Sequence, residues 1–299
     1  MEYPKLATVA ELLKPITWFP PMWAFACGAV SSGHSLGDNW LVVLAGLVLT
    51  GPLVCASSQA VNDWFDRHVD AINEPARPIP SGRMPGRWGL YIAILWTALS
   101  LLWAQALGRW GLLACGLALL LSWAYSAPPL RLKNDGWLGN TACALSYEGL
   151  AWVTGAAVML GGAMPQPSIV LLALLYSLGA HGIMTLNDFK AVEGDLRMGV
   201  RSLPVQLGVV GAAKAACLVM LVPQVWVTVL LLHWGADGHA LAVALLMLAQ
   251  LPLMHRFVAA PVEKALSVSA FGVPLFVAGM MVSAWALRLG YGAPQGFAA

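Results

Sequence analysis

Two stretches of this 299-residue chain carry acids at spacings that could hold a cation. The first reads NDWFDRHVDAINEPARPIPSGR, from Asn62 to Arg83; the second reads NDFKAVEGDLRMGVRSLPVQLG, from Asn187 to Gly208. Each opens Asn-Asp-aromatic and places an aspartate eight residues after its asparagine, at Asp70 and Asp195. On a helix, Asn62, Asp66 and Asp70 recur every four residues and share a face, and Asp188 and Asp195, seven apart, do the same. Carboxylates set side by side repel unless a cation sits between them. Hard oxygen donors without His or Cys suit Mg²⁺, which prefers to bridge carboxylates to phosphates. Neighbouring arginines supply further charge for a multiply charged anion. The chemistry this predicts is capture of the diphosphate head of an apolar molecule. A single acidic stretch would read as a solvated helix end; two at corresponding positions, each followed by a basic, proline-containing loop, argue against that.

The elements that position these motifs are apolar. Hydrophobic residues make up 59% of the chain and charged residues 10%, against about 25% charged in an ordinary globular domain. Mean hydropathy is +0.74. Too little polar side chain exists to coat a water-facing surface, which excludes a soluble enzyme, a disordered chain and a secreted disulfide scaffold. The formal net charge of +2 gives no basis for a nucleic-acid partner. The five cysteines lie far apart in apolar runs with no CxxC pair, so they read as small buried hydrophobes. The opening MEYPKLATVAELLKP reads as neither signal nor transit peptide and predicts a bacterial membrane protein.

A helix crosses the hydrocarbon core in about 20 residues. The apolar runs predict an all-α polytopic membrane protein with nine transmembrane helices, at 17–36, 41–61, 88–107, 109–127, 137–160, 167–186, 206–232, 239–257 and 267–290. All lysines and arginines except Arg109, Lys214 and Arg288 fall in the N-terminal segment or in the loops after the even-numbered spans. The positive-inside rule makes that side cytoplasmic, with the N-terminus in and the C-terminus out. Trp18, Trp40, Trp88, Trp110, Trp137 and Trp234 near span ends fit an interfacial belt. Spans two and six run in the same direction and lead into the two acidic stretches, so the chain reads as two parallel four-helix repeats plus one helix. It is expected to be a single domain over 1–299, with active-site loops at 62–87 and 187–205 on the cytoplasmic side.

Asn62-Asp63-x-x-Asp66-x-x-x-Asp70 resembles the NDxxDxxxD motif of the UbiA superfamily of intramembrane aromatic prenyltransferases, and Asn187-Asp188 through Gly194-Asp195 resembles its second motif. Within that superfamily INEPARPIPSGR (72–83), YSAPPLRLK (125–133), DGWLGN (135–140) and SLPVQLG (202–208) are similar to the chlorophyll synthase group. LLKPITWFPPMWAF (12–25) and SYEGLAW (146–152) resemble its bacteriochlorophyll branch. The likeness covers almost the entire chain. One departure is Ala191, where many relatives outside this group carry an acid; that leaves Asp188 and Asp195, joined by Glu193, for the second site.

The resemblance implies transfer of a C20 prenyl group, from geranylgeranyl or phytyl diphosphate, to the propionate of bacteriochlorophyllide, with Mg²⁺ as cofactor. It implies Asn62, Asp66, Asp70, Asp188 and Asp195 as metal ligands. Arg131, Lys133 and Arg201 are candidates for stabilising the departing diphosphate, and Tyr125 and Ser126 for donating hydrogen bonds to it. Asn187 and Arg77 join the substrate-binding set. An acceptor carboxylate already ionised at neutral pH needs no strong general base. Expected partners are the two substrates, the lipid bilayer and other pigment-biosynthesis or photosystem-assembly proteins. The expected location is the bacterial inner or intracytoplasmic photosynthetic membrane.

Four residues stay open at this stage. Glu148, mid-span and costly there, either lines the acceptor or prenyl cavity or packs as a protonated or internally hydrogen-bonded group. His181 either ligates the chlorin Mg²⁺ or is an interior histidine. Arg77 and Arg83 either contact anionic substrate groups or pair with Asp70 and Glu74. His68 reads as solvent-facing and Met280 and Met281 as packing, while Pro75, Pro78 and Pro80 suit a stiff lid. Three other readings compete. A transporter would place its site near mid-membrane at broken helices, a pigment-binding assembly protein would not need both acids and bases, and another acceptor (a quinone precursor, homogentisate or haem) is opposed only by the resemblance.

Overall fold

A computed structural model describes residues 3–293, which are helical apart from loops and one isolated parallel bridge between Asp135 and Arg201. The helices are α1 (Leu6–Leu13), α2 (Phe19–Ser31), α3 (Trp40–Asn73), α4 (Trp88–Gln105), α5 (Arg109–Ser126), α6 (136–159), α7 (Pro167–Asp188), α8 (Val192–Met198), α9 (Leu203–His233), α10 (Asp237–Ala259) and α11 (Pro261–Arg288). A left-handed backbone at Lys14 (φ 47°), followed by Pro15, ends α1. Gly208 (φ 70°, ψ 157°) breaks the first turn of α9 from the rest.

Helix occupies each of the nine expected intervals. By length and composition six helices can cross a membrane: α3, α4, α7, α9, α10 and α11. The other three are shorter or more polar. The helix at 19–31 has 13 residues, α5 opens on Arg109, and α6 carries Asn140 and Glu148. Three helices contain a π-helical segment, at Leu49–Cys55 in α3, Leu145–Leu150 in α6 and Val268–Gly272 in α11.

Small residues set the closest packing. A Cβ on Gly28 of α2 would lie 2.0 Å from the Trp152 carbonyl oxygen, and one on Gly155 of α6 would lie 2.1 Å from that of Phe25. The two backbones therefore interlock through reciprocal notches, as helices packing in lipid require. Around this pair α3, α4 and α5 pack on one another, and α7, α9, α10 and α11 form the other side, with α11 returning to α2. Buried polar pairs fix the joints. Tyr176 of α7 meets Ser283 of α11 at 2.8 Å, and Gln224 and Gln250 exchange amide hydrogen bonds between α9 and α10. A fully buried aromatic run, Trp152–Tyr176–Phe276, ties α6, α7 and α11 at centroid spacings of 5.6 and 5.4 Å.

Candidate active site

The helix carrying the first motif does run on past its apolar stretch, ending at Asn73. Asp66 is the centre of what it presents. Asn62 Nδ2 donates to Asp66 Oδ2 at 3.0 Å, Arg131 Nη2 reaches Oδ1 at 3.2 Å, and Lys133 Nζ binds the same oxygen. Lys133 is pulled below its ordinary value by burial, against which Asp66 acts. Arg131 itself holds a left-handed backbone (φ 40°), a conformation that for a non-glycine residue persists only where the surroundings enforce it.

Those surroundings are the second half of the chain. Arg201 N–H donates to the Asn134 carbonyl at 2.9 Å and Gly136 N–H to the Arg201 carbonyl at 2.8 Å. The approach leaves no room for a side chain at 136: a Cβ there would sit 2.6 Å from Leu203 N. Asp135 caps α6, accepting from the backbone N–H of Trp137 and Leu138 at 3.0 and 3.2 Å. The loop bearing Arg131 and Lys133 is thus clipped to the loop that follows α8, which brings the two acidic stretches together.

Between them lies a cavity of about 220 Å³. Asp66, Tyr125, Arg131 and Lys133 form one side of its lining, and Asn187, Asp188 and Asp195 the other. Burial raises Asp195 above the usual carboxylate range. Asp188 and Asp195 do not share one helix, since the chain turns at 189–191 between α7 and α8; the turn itself puts both on the cavity wall. A second cavity, of about 240 Å³, adjoins the first at Tyr125, which lines both. Its walls include Leu49, Val54, Ala114, Ala118, Leu121 and Leu150, with Asn62 and Gln59 among the polar members. Two of the three π-helical segments contribute to it, in keeping with the association of such segments with functional sites.

Several expected residues are placed elsewhere. Asp70 is held by Arg77 at 2.9 Å and is absent from the cavity lining. The reason is helical drift: a four-residue step advances about 40° round the axis, so by Asp70 the stripe has turned toward the side where Asp63 lies. Asn62 serves the neighbouring cavity and donates to Ser126 Oγ at 3.3 Å. Arg77 bridges Asp63, Asp70 and Glu74, and these carboxylates hold it above its ordinary value although burial works against its charge. Arg83 binds Glu11 and the Ala76 carbonyl, rather than Glu74. The expected proline-stiffened lid therefore packs sideways: Ile79 and Met84 join Leu12 and Leu13 of α1 in an apolar cluster, and no residue of 71–87 lines the charged cavity. Arg201 contributes its backbone and has an exposed side chain. Glu148 is buried in the π-segment of α6 with Oε2 unpartnered and lines neither cavity. His181 is buried against Trp137, rings stacked at 5.4 Å, and faces neither cavity. Two residues of the quoted motifs receive no role of their own from the sequence: Asp63, fully buried on Lys14 at 2.6 Å, and Asn140, which donates to Asp188. A first motif read as one face could not reveal Asp63, which lies about 100° round the helix from Asn62.

Among the described residues no three His, Cys, Asp or Glu side chains converge as a preformed metal cluster. Arg131 and Lys133 neutralise Asp66 instead. The donor set nonetheless fits a hard divalent cation, because Asp66, Asp188 and Asp195, with Asn187, are among the residues lining one small cavity where phosphate oxygens would complete the coordination.

A charged cavity sharing its Tyr125 wall with a mostly apolar one, inside a multi-pass helical bundle, is the arrangement that a membrane enzyme handling an amphiphile with an anionic head would need. The chain belongs to the UbiA prenyltransferase family, whose sequence profile matches residues 17–279. It is 56% identical to the bacteriochlorophyll synthase 33 kDa chain of Cereibacter sphaeroides, over 95% of this chain and 94% of that one. Chloroplastic chlorophyll synthase of Avena sativa is further away, 38% identical over 92% of this chain and 75% of its own length. Among solved structures, a UbiA homolog from Archaeoglobus fulgidus bound to GPP and Mg²⁺ shares the fold with a TM-score of 0.68, at 21% identity over 94% of this chain and 99% of that one.

Proposed function

We propose that this chain esterifies the propionate of bacteriochlorophyllide with a C20 prenyl group from geranylgeranyl or phytyl diphosphate, releasing diphosphate. The observation that carries the reading is the junction at Tyr125, where the acid- and base-lined cavity meets the apolar one. An anionic head held by Arg131 and Lys133 would have its apolar tail directed into the neighbouring space. Relatives named bacteriochlorophyll synthase at this level of identity support the acceptor.

Asp66, Asp188 and Asp195, with Asn187, are the residues that would hold Mg²⁺, and the family neighbour solved with GPP and Mg²⁺ supports a divalent cation. When bound, the cation would neutralise diphosphate and make it a better leaving group. Arg131 and Lys133, on the wall of the same cavity, would stabilise the charge that grows on the departing oxygens, and the Tyr125 hydroxyl would donate to the same group. The bond between prenyl C1 and the diphosphate oxygen breaks, its electron pair leaving with diphosphate, and a propionate oxygen forms the new C–O bond. The acceptor carboxylate needs no deprotonation, which agrees with a charged cavity whose lining holds no His or Cys. The apolar wall keeps water from the allylic carbon, where it would yield free alcohol.

The basic-residue bias supports nine crossings with the N-terminus and the active site on the cytoplasmic side of the inner or intracytoplasmic membrane. Contacts with other pigment-biosynthesis or photosystem-assembly proteins belong to this same proposal. The test incubates membranes containing the protein with bacteriochlorophyllide a, geranylgeranyl diphosphate and Mg²⁺. Esterified pigment is expected; no ester with both substrates intact would overturn the reading.

A further inference from the structure

Asp66 and Asp188 line one cavity but are held by different means. Asp66 is met by two cations, whereas Asp188 and Asp195 make no ion pair among the described residues. An amide holds Asp188. Asn140 Nδ2 donates to Asp188 Oδ2 at 3.1 Å and to Thr185 Oγ1 at 3.3 Å. The Thr185 hydroxyl spends its own proton on the His181 carbonyl at 2.9 Å, so toward Asn140 it can only accept. That fixes which end of the amide faces Asp188. Thr185 is 0% exposed, so water offers it no easy alternative partner, and Asn140, 8% exposed, stands on the cavity wall beside Asp188. The base is rigid as well: Asn140 stands on the first turns of α6, behind the Asp135 cap and the backbone clip to Arg201.

We propose that Asn140, locked by Thr185, is a positioning residue that orients the Asp188 carboxylate for a divalent cation while leaving its charge uncancelled. A lysine or arginine in its place would also orient Asp188, but would compete with the cation for it. A neutral donor avoids that competition. Residues that orient metal ligands in this way typically matter 10–100-fold in metal affinity, about as much as this site should show. The inference rests on the prenyl-diphosphate reading for its purpose, though not for its measurement.

The experiment uses full-length protein in lipid nanodiscs with Mn²⁺ as the probe, free Mn²⁺ being followed by electron paramagnetic resonance. Asn140→Leu, of similar size but without the donor, should raise the half-saturating Mn²⁺ concentration about tenfold, and Thr185→Val about threefold. Melting temperatures should stay near wild type. In the esterification assay Asn140→Leu should need more Mg²⁺ yet approach the wild-type kcat when saturated, a split that a general packing defect would not give. A Mn²⁺ titration of Asn140→Leu that superimposes on wild type overturns the proposal. So does a kcat loss that no Mg²⁺ concentration repairs. If Asn140→Leu does not accumulate, Thr185→Val carries the decision: an unshifted titration overturns the idea, a shifted one supports it. The Mn²⁺ titration reads the same whether or not pigment ester forms, so the positioning role and the substrate assignment fail separately.

Discussion

Asp63 and Asp66 sit three residues apart on α3 and answer to different partners. Asp66 meets Arg131 at 3.2 Å and Lys133 on the wall of the charged cavity; Asp63 is buried beside it on Lys14 at 2.6 Å, with Arg77 at 3.5 Å. One helix thus splits its acids between the cavity wall and the packing of α1. The predictions for the two residues differ accordingly.

Asp66→Asn keeps the size of the side chain and removes the charge that Arg131 and Lys133 answer. Esterification should fall by about a hundredfold or more, the scale on which removing an electrostatic contact at the reacting centre acts, while the protein still accumulates in membranes. Glu148→Gln, which alters a buried group on neither cavity, should keep measurable turnover. The comparison is pigment-ester formation by the two variants. Near-normal activity in Asp66→Asn would reduce the motif to a helix end.

Asp63→Ala should act on stability first. Its side chain is 2% exposed and that of Lys14 22%, and the change strands Lys14, while Arg77 keeps Asp70 and Glu74. Breaking a buried pair costs about 3–5 kcal/mol, and partial exposure of Lys14 brings the expectation to about 2 kcal/mol. A thermal unfolding scan should register a lower midpoint, and protease should cut sooner in the α1 segment that Lys14 anchors. An unchanged midpoint would mean the pair is idle.

How much of this could be seen in the sequence depends on what each feature rests on. The apolar runs are legible because burial in lipid is written in composition, and helix occupies at least part of every predicted interval. Asp66 is legible because its neighbours repeat at helical spacing. Asp70 is misplaced by the same argument, since a stripe of i, i+4 residues drifts round the axis and loses its partner within two steps. Meeting at the cavity is only partly foreseeable: Asp188 and Asp195 converge through a turn rather than a shared helical face. The backbone clip between Asn134, Gly136 and Arg201 leaves only the glycine at 136 as a trace, because main-chain hydrogen bonds do not depend on side-chain type. The same holds for the π-segments, whose extra residue per turn carries no composition of its own.

Gly155→Val should prevent the close approach of α2 and α6. A Cβ at this position would lie 2.1 Å from the Phe25 carbonyl oxygen, and backbone cannot step aside as a side chain tip can. Overpacking of this kind costs about 3 kcal/mol or more. Yield of folded protein in detergent should drop sharply, whereas Gly194→Ala, in a place with nothing within 4 Å of the added carbon, should be indistinguishable from wild type. Equal yields for the two would disprove the interlocked packing.

The apolar cavity makes a prediction about chain length. Tyr125 marks its junction with the charged site, and Ala118 lies seven residues earlier on the same helix, about 10 Å away along the axis. A prenyl chain whose head is held by Arg131 and Lys133 must pass Ala118 if it is long, and need not if it is short. Ala118 is buried and on the wall, so Ala118→Phe projects a ring into that path without touching the charged residues. Turnover of geranylgeranyl diphosphate should fall about tenfold, the effect of roughly 1.4 kcal/mol of lost accommodation, while geranyl diphosphate is used as well as by wild type. Competition between the two diphosphates in one reaction, read out as the ratio of pigment esters, measures this directly. A ratio unmoved by Ala118→Phe would place the tail somewhere other than this cavity.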